Sequence, residues 1–206
     1  EINRRRQDIT ARMTSEAKEK ATPIADRKVL VLKDPAWAKG VVGIVAGRLT
    51  DHYSKPVIVM EQGEASSTGS ARSIKGFDIV AALNHCSEYI LKYGGHKEAA
   101  GLTVANDQFD NFYFNLLKYA ENHWPQQSAE AILELDAELM EQDLSMDRYE
   151  EVALLEPFGM GNPKPKFLVN DAKLISYKLV GQTQTHLQMQ ILVGETILEC
   201  IGFSLG

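Results

Sequence analysis

The 206-residue chain is 44% hydrophobic and 24% charged, the balance of a globular protein with core enough to fold without disulfide or metal. No apolar run reaches the ~18 residues that a membrane span needs, and Cys86 and Cys200 form no Cys-x-x-Cys pair, so both read as buried thiols of a reducing, cytoplasmic compartment. The net charge of −6 is concentrated: residues 126–160 hold ten acidic residues against one basic, whereas residues 1–28 hold eight basic against five acidic, which excludes a generic charge-driven nucleic-acid binder and requires any phosphate recognition to be local.

Both ends are expected to be cut, since the chain starts at Glu1 within a helical stripe and stops just after an apolar run. Residues 1–22 predict a basic amphipathic helix stopped by Pro23. Val29–Leu32 and Pro56–Met60 are short, fully apolar runs, the pattern of buried strands in an α/β sheet. Between them, residues 41–49 predict a buried helix. Glu64–Ser73 is rich in Ser and Gly and predicts a loop. A helix follows, with Phe77, Val80, Leu83 and Ile90 on one side, and then a strand over Leu102–Ala105. Asn106 or Asp107 caps a helix bearing Phe109, Phe112, Leu116 and Ala120. Trp124–Ser128 is a breaker, which sets the boundaries at 1–28 for a connecting helix and linker, 29–127 for a small α/β domain, and 128–206 for a second domain. In that second domain Ile132, Leu133 and Leu135 suggest a strand and Asp147–Leu155 an acidic helix. Runs at 167–179, 185–193 and 196–203 have strand character and are separated by turns at Gly181 and Gly194, so a small, mostly β barrel or sandwich is expected.

Two stretches could carry chemistry. Gly94-Gly95-His96 reads either as a helix C-cap followed by a turn or as a place where backbone N–H groups and an imidazole approach an anion. Gly69-Ser70-Ala71-Arg72-Ser73 reads either as a flexible hairpin with a solvated arginine or as a phosphate grip. In strand geometry Ser70 and Arg72 share a face, and a guanidinium binds phosphate in bidentate fashion. The five histidines show no zinc-type spacing, and no Gly-x-x-x-x-Gly-Lys-Ser/Thr is present. Neither a metal site nor a nucleophile can be assigned within the chain.

Five motifs in order resemble the C-terminal half of the RecJ family of DHH phosphoesterases, single-strand-specific 5′→3′ exonucleases. They are Trp37–Leu49, Gly69–Ser73, Phe77-Asp78, Gly94–Gly101 and Leu155–Pro165. The resemblance implies an α/β DHHA1 substrate-binding domain followed by an OB-like domain. The catalytic DHH domain, with its Mn²⁺ or Mg²⁺ ions, would precede residue 1, so that this chain itself binds no cofactor and is inactive alone. Carried over, Ser70 and Arg72 become ligands of a 5′-end phosphate, with Gly94, Gly95 and His96 forming a phosphate-binding turn. Lys173, Tyr177, Lys178 and His186 become candidates for a DNA groove in the OB-like domain. The implied partners are single-stranded DNA, the DHH domain of the same protein, and a single-strand-binding protein or helicase of DNA repair and recombination; no membrane is implied. Two departures stand out: Ala38 replaces a histidine common in the family, and Ala71 replaces a usual glycine. The alternatives are a DHH-type phosphodiesterase acting on short oligonucleotides or cyclic dinucleotides, or a non-catalytic single-strand-binding module.

Overall fold

Val29–Leu32 and Val57–Met60 are apolar at every position because each strand is covered on both faces. The computed structural model describes residues 2–125 and 133–206. Strands β1 (Leu30–Asp34) and β2 (Val57–Gln62) pair in parallel. Alternate residues then serve two cores, as the strand period of two demands. Leu30, Leu32, Val57 and Val59 pack with helices α1 (Ile2–Ala21) and α2 (Val42–Tyr53). Val31, Ile58 and Met60 share the opposite core with α3 (Ile79–His85) and α4 (Phe109–Asn122). Strands β3 (Ser66–Arg72), β4 (Ile90–His96) and β5 (Ala99–Ala105) complete a five-stranded sheet in the order β1-β2-β3-β5-β4, antiparallel from β2 onward. Trp37 locks the α1 side: its ring is 2% exposed, and its Nε1 donates to Glu16 Oε2 at 3.1 Å.

Four sequence expectations are corrected by the structure. The loop expected at Glu64–Ser73 is strand β3, at the centre of the sheet. Its buried residues are the small Ser67, Gly69 and Ala71, and at Gly69 the backbone of β2 leaves no room for a side chain: a Cβ there would collide with the Val59 carbonyl oxygen and stand 2.6 Å from Met60 Cγ. The helix expected to carry Phe77 through Ile90 spans only Ile79–His85, and Ile90 opens β4 instead. Asp78 caps that helix by accepting from the Ala81 N–H at 3.0 Å. The Gly94 region is therefore neither a helix cap nor a turn but an edge strand, joined to β5 through the two-residue loop Lys97-Glu98. On α4 the four expected residues Phe109, Phe112, Leu116 and Ala120 are all buried, but neither Asn106 nor Asp107 is its cap. A 3₁₀ turn precedes the helix, and Asn106 instead donates to the carbonyls of Gly63 and Glu64 and accepts from Ser67 Oγ.

The chain divides into two compact units, Glu1–Ala131 and Ile132–Gly206. The expected boundary at 127/128, and Ile132 of the strand suggested near it, lie outside the described residues. Leu133 and Leu135 precede the nearest strand, β6 (Ala137–Leu139), which pairs in parallel with β7 (Phe167–Val169). Helix α5 (Met146–Ala153) follows β6 and is capped by Ser145, whose Oγ accepts from the Arg148 N–H at 3.3 Å. Strands β8 (Lys173–Val180), β9 (His186–Val193) and β10 (Thr196–Gly202) form an antiparallel meander. Gly181 and Gly194 take the positive φ values, 92° and 59°, that its turns require. The proline- and glycine-rich stretch before β7 is stitched by Asn162, which donates to the carbonyls of Leu155 and Pro157 at 2.7 and 3.2 Å. The second unit is mostly β and OB-like in kind.

Candidate phosphate-binding site

Cross-strand register brings the two sequence stretches together. Arg72 pairs with Ala99, and Ala99 pairs with His96; Ser70 pairs with Gly101, and Gly101 pairs with Gly94. Residues opposite one another in register share a face. Arg72, Ser70, Gly94 and His96 therefore stand on one face of β3-β5-β4, the face turned away from the Ala71–Ala100–Leu102 core. Gly95 lies on the core side of the edge strand, with φ of +155°; a Cβ there would collide with the Ala99 carbonyl. Gly94, His96 and Gly101 are exposed, whereas Ser70 and Arg72 are half-buried.

Arg72 is held before any ligand arrives. Its Nη1 donates to Ser70 Oγ at 2.7 Å and to the Ala71 carbonyl at 2.8 Å. Ser70 in turn points its hydroxyl proton at the Ala100 carbonyl, 3.4 Å away. Nη1 is thereby used, while the N–H groups of Nη2 and Nε keep the fork geometry that suits a phosphate. Thr50 of α2 donates to the Arg72 carbonyl at 3.4 Å, tying strand to helix. The hairpin below His96 is also fixed, because the N–H groups of Ser73 and Ile79 donate to the carbonyls of Glu98 and Lys97 at 2.8 and 3.0 Å. The Glu98 N–H donates to His96 Nδ1 at 3.4 Å, which leaves Nε2 as the ring nitrogen available to a ligand.

Sequence reasoning missed Gly43 as a part of this site. A Cβ built on Gly43 stands 3.0 Å from Arg72 Nη2 and 3.3 Å from Ser70 Oγ. The glycine sits in the first turn of α2, so that the helix N-terminus, with its unpaired N–H groups and partial positive charge, lies against the same pair. Its one sequence signal is a small residue in an otherwise apolar helical run.

In the second unit the four groove residues divide. Lys178 pairs with Gln188, Val180 with His186, and Lys173 with Leu192, which places Lys173, Lys178 and His186 on one face of the meander; Tyr177 pairs with Met189 and lies on the other. A bulge between Leu174 and Ser176 sets this arrangement. On the lysine-bearing face, Ser176, Gln190 and Glu199 form a hydrogen-bonded row across all three strands. Among the described residues, no group of three or more His, Cys, Asp or Glu side chains converges to hold a metal ion.

The fold defines a class: an α/β domain of the DHHA1 type joined to an OB-like domain. Residues 26–122 match the DHHA1 domain and residues 135–206 the RecJ OB domain, and by that pairing the chain belongs to the RecJ family. It is 34% identical over its whole length to the single-stranded-DNA-specific exonuclease RecJ of Bacillus subtilis, of which it covers 27%. To the protein of the same name from Thermus thermophilus it is 38% identical over 82% of the chain, covering 24% of that relative. The crystal structure of Thermus thermophilus RecJ in complex with Mn²⁺ superposes on 96% of this chain with a TM-score of 0.78 at 33% identity, and that of the Mg²⁺ complex on 97% with a TM-score of 0.71 at 28%. The chain spans about a quarter of the length of these curated relatives. Among the described residues, no helix is long and apolar enough to cross a membrane.

Proposed function

We propose that this chain is the strand-holding portion of a cytoplasmic, metal-dependent, single-strand-specific 5′→3′ DNA exonuclease of repair and recombination. In this reading residues 29–127 grip the terminal phosphates and residues 128–206 guide the strand behind them. One observation carries it: the Arg72–Ser70 pair, braced before binding, lies on the same open sheet face as His96 and the bare backbone of Gly94 and Gly101. A 5′-phosphate entering there meets a guanidinium fork, an imidazole donor and room for close backbone approach. Crystal structures of relatives hold Mn²⁺ or Mg²⁺, but the donors described here make no cluster for such an ion. Metal-assisted hydrolysis is therefore assigned to a DHH domain outside these 206 residues, and the work of this chain is binding and orientation. In the OB-like unit, Lys173 and Lys178 contribute positive charge along a face that also carries His186, and Tyr177 offers a ring on the other. The acidic stretch near α5 faces away from the strand or receives a basic partner.

The test is fluorescence anisotropy of the 206-residue chain with labelled oligonucleotides. The reading expects preference for single strand over blunt duplex, and for a 5′-phosphate over a 5′-hydroxyl. Equal affinity for all four ligands would remove it.

A further inference from the structure

The open face of β3-β5-β4 continues past the Arg72 and Ser70 rows into a third row. Two residues further along, Thr68 pairs with Thr103 and Thr103 pairs with Lys92, and the two threonine hydroxyls lie 3.0 Å apart. Lys92 reaches this face through an irregularity. Ile90 points into the core beneath α3 and α4, so in a regular strand Lys92, two residues on, would point the same way. The register shift between Ile90 and Lys92 turns the lysine over to the open side, the re-aiming that a β-bulge produces. Lys92 is exposed, and Thr68 and Thr103 are half-buried beside it. The row has a polarity, because across β2 and β1 it ends in Glu61 and in Asp34, whose charge is paired with Lys20 at 3.1 Å. An anionic strand is thus drawn to the β5-β4 end, away from Glu61.

We propose that Lys92, with the hydroxyls of Thr68 and Thr103, binds the phosphate two nucleotides beyond the one held by Arg72, Ser70 and His96. The sheet face then holds the first and third phosphates of a single strand. The Arg72–His96 row and the Lys92 row are four residues apart, about 13 Å along the strand, the length of about two nucleotides of an extended strand. Gly101 and Gly94, between the two cationic rows, leave the backbone bare where the sugar would pass. This inference rests on the end-holding reading above.

The experiment titrates the ¹⁵N-labelled chain, wild type and variants, with thymidine 5′-monophosphate and with 5′-phosphorylated dT2 and dT4, reading affinity from amide shifts; the same spectra verify that each variant is folded. Lys92→Gln is expected to leave the mononucleotide and dT2 affinities unchanged and to weaken dT4 by about fivefold or more, with a shallower dependence on salt. Thr103→Val is expected to act in the same direction, more weakly. If Lys92→Gln weakens the mononucleotide as much as dT4, or changes neither, while Arg72→Ala weakens both, the Lys92 phosphate position is wrong and the end-holding reading stands. If Arg72→Ala changes neither, the first phosphate site falls and this inference falls with it.

Discussion

Gly43→Ala asks whether the approach of α2 defines the Arg72 site. The new methyl carbon would stand 3.0 Å from Arg72 Nη2 and 3.3 Å from Ser70 Oγ, whereas comfortable contact begins near ~3.5 Å. The guanidinium must therefore retreat by about 0.5 Å, which stretches its 2.7 Å bond to Ser70 toward the long end of the hydrogen-bond range, about 3.2 Å. Loss of one charge-assisted bond at this half-buried site is worth the low end of about 1.5–3 kcal/mol, or roughly tenfold in affinity for a phosphorylated end. The helix itself gains, because alanine is favoured over glycine by up to about 1 kcal/mol in a helical position. The expected signature is an unchanged or slightly raised melting temperature together with weakened binding of 5′-phosphorylated single strand and little change for the 5′-hydroxyl strand. Titration by anisotropy alongside thermal melting reads both. A melting temperature that holds, with phosphate-dependent binding also intact, would refute the idea that Gly43 sets the position of Arg72.

Gly69→Ala should destabilise the first unit by about 3 kcal/mol, the upper end of overpacking costs, because its Cβ meets the Val59 and Met60 backbone, which cannot yield, as well as the Met60 side chain; chemical denaturation followed by circular dichroism measures the loss. Burial first, and then Glu88, push the Cys86 thiol up to about 12. The unfolded thiol ionises earlier, near pH ~8.5, so the contribution of Cys86 is fully present below that pH and is lost as pH climbs toward 12. Urea midpoints at pH 8 and 10.5 should therefore differ less in Cys86→Ala than in the wild type, with a residual slope from Tyr119, which burial also raises. Incubating the 206-residue chain with Mn²⁺ and 5′-phosphorylated single-stranded DNA should release no mononucleotides; release that copurifies with the chain would overturn the placement of hydrolysis outside it.

The elements legible in the sequence were those whose residues advertise burial. Leu30–Leu32 and Val57–Met60 could only be interior strands, and Phe109, Phe112, Leu116 and Ala120 could only be one helix face. Strand β3 escaped because its buried residues, Ser67, Gly69 and Ala71, are small and do not advertise burial, and at Gly69 the reason lies outside the strand, in the nearness of β2. Strand β4 escaped because Gly94 and Gly95 imitate a helix end, and its register depends on a bulge that has no local signature. The pairing of Ser70 with Arg72 followed from the strand period alone. Their meeting with His96 required the sheet order, since β5 lies between β3 and β4. Gly43 was invisible for the same reason: a glycine reports close approach only when its neighbour is known. In the second unit Tyr177 turns away from Lys178 by the strand period alone, and the bulge near Ile175 decides that Lys173 shares the face of Lys178 and His186.

The central claim is that Arg72 holds a terminal phosphate. Two N–H groups of its fork remain for the ligand after Ser70 and Ala71 are served, each worth about 1.5–3 kcal/mol in a charge-assisted bond. Because the side chain is only half-buried, the lower end of that range applies. The direct measurement is the ratio of affinities for 5′-phosphorylated and 5′-hydroxyl single strands in the wild type, Arg72→Ala and Arg72→Lys. Arg72→Ala should weaken the phosphorylated strand more than tenfold and leave the hydroxyl strand nearly unchanged, with Arg72→Lys restoring only part of the ratio because an ammonium keeps the charge without the fork. An equal loss for both strands would make Arg72 a general backbone contact and contradict end recognition.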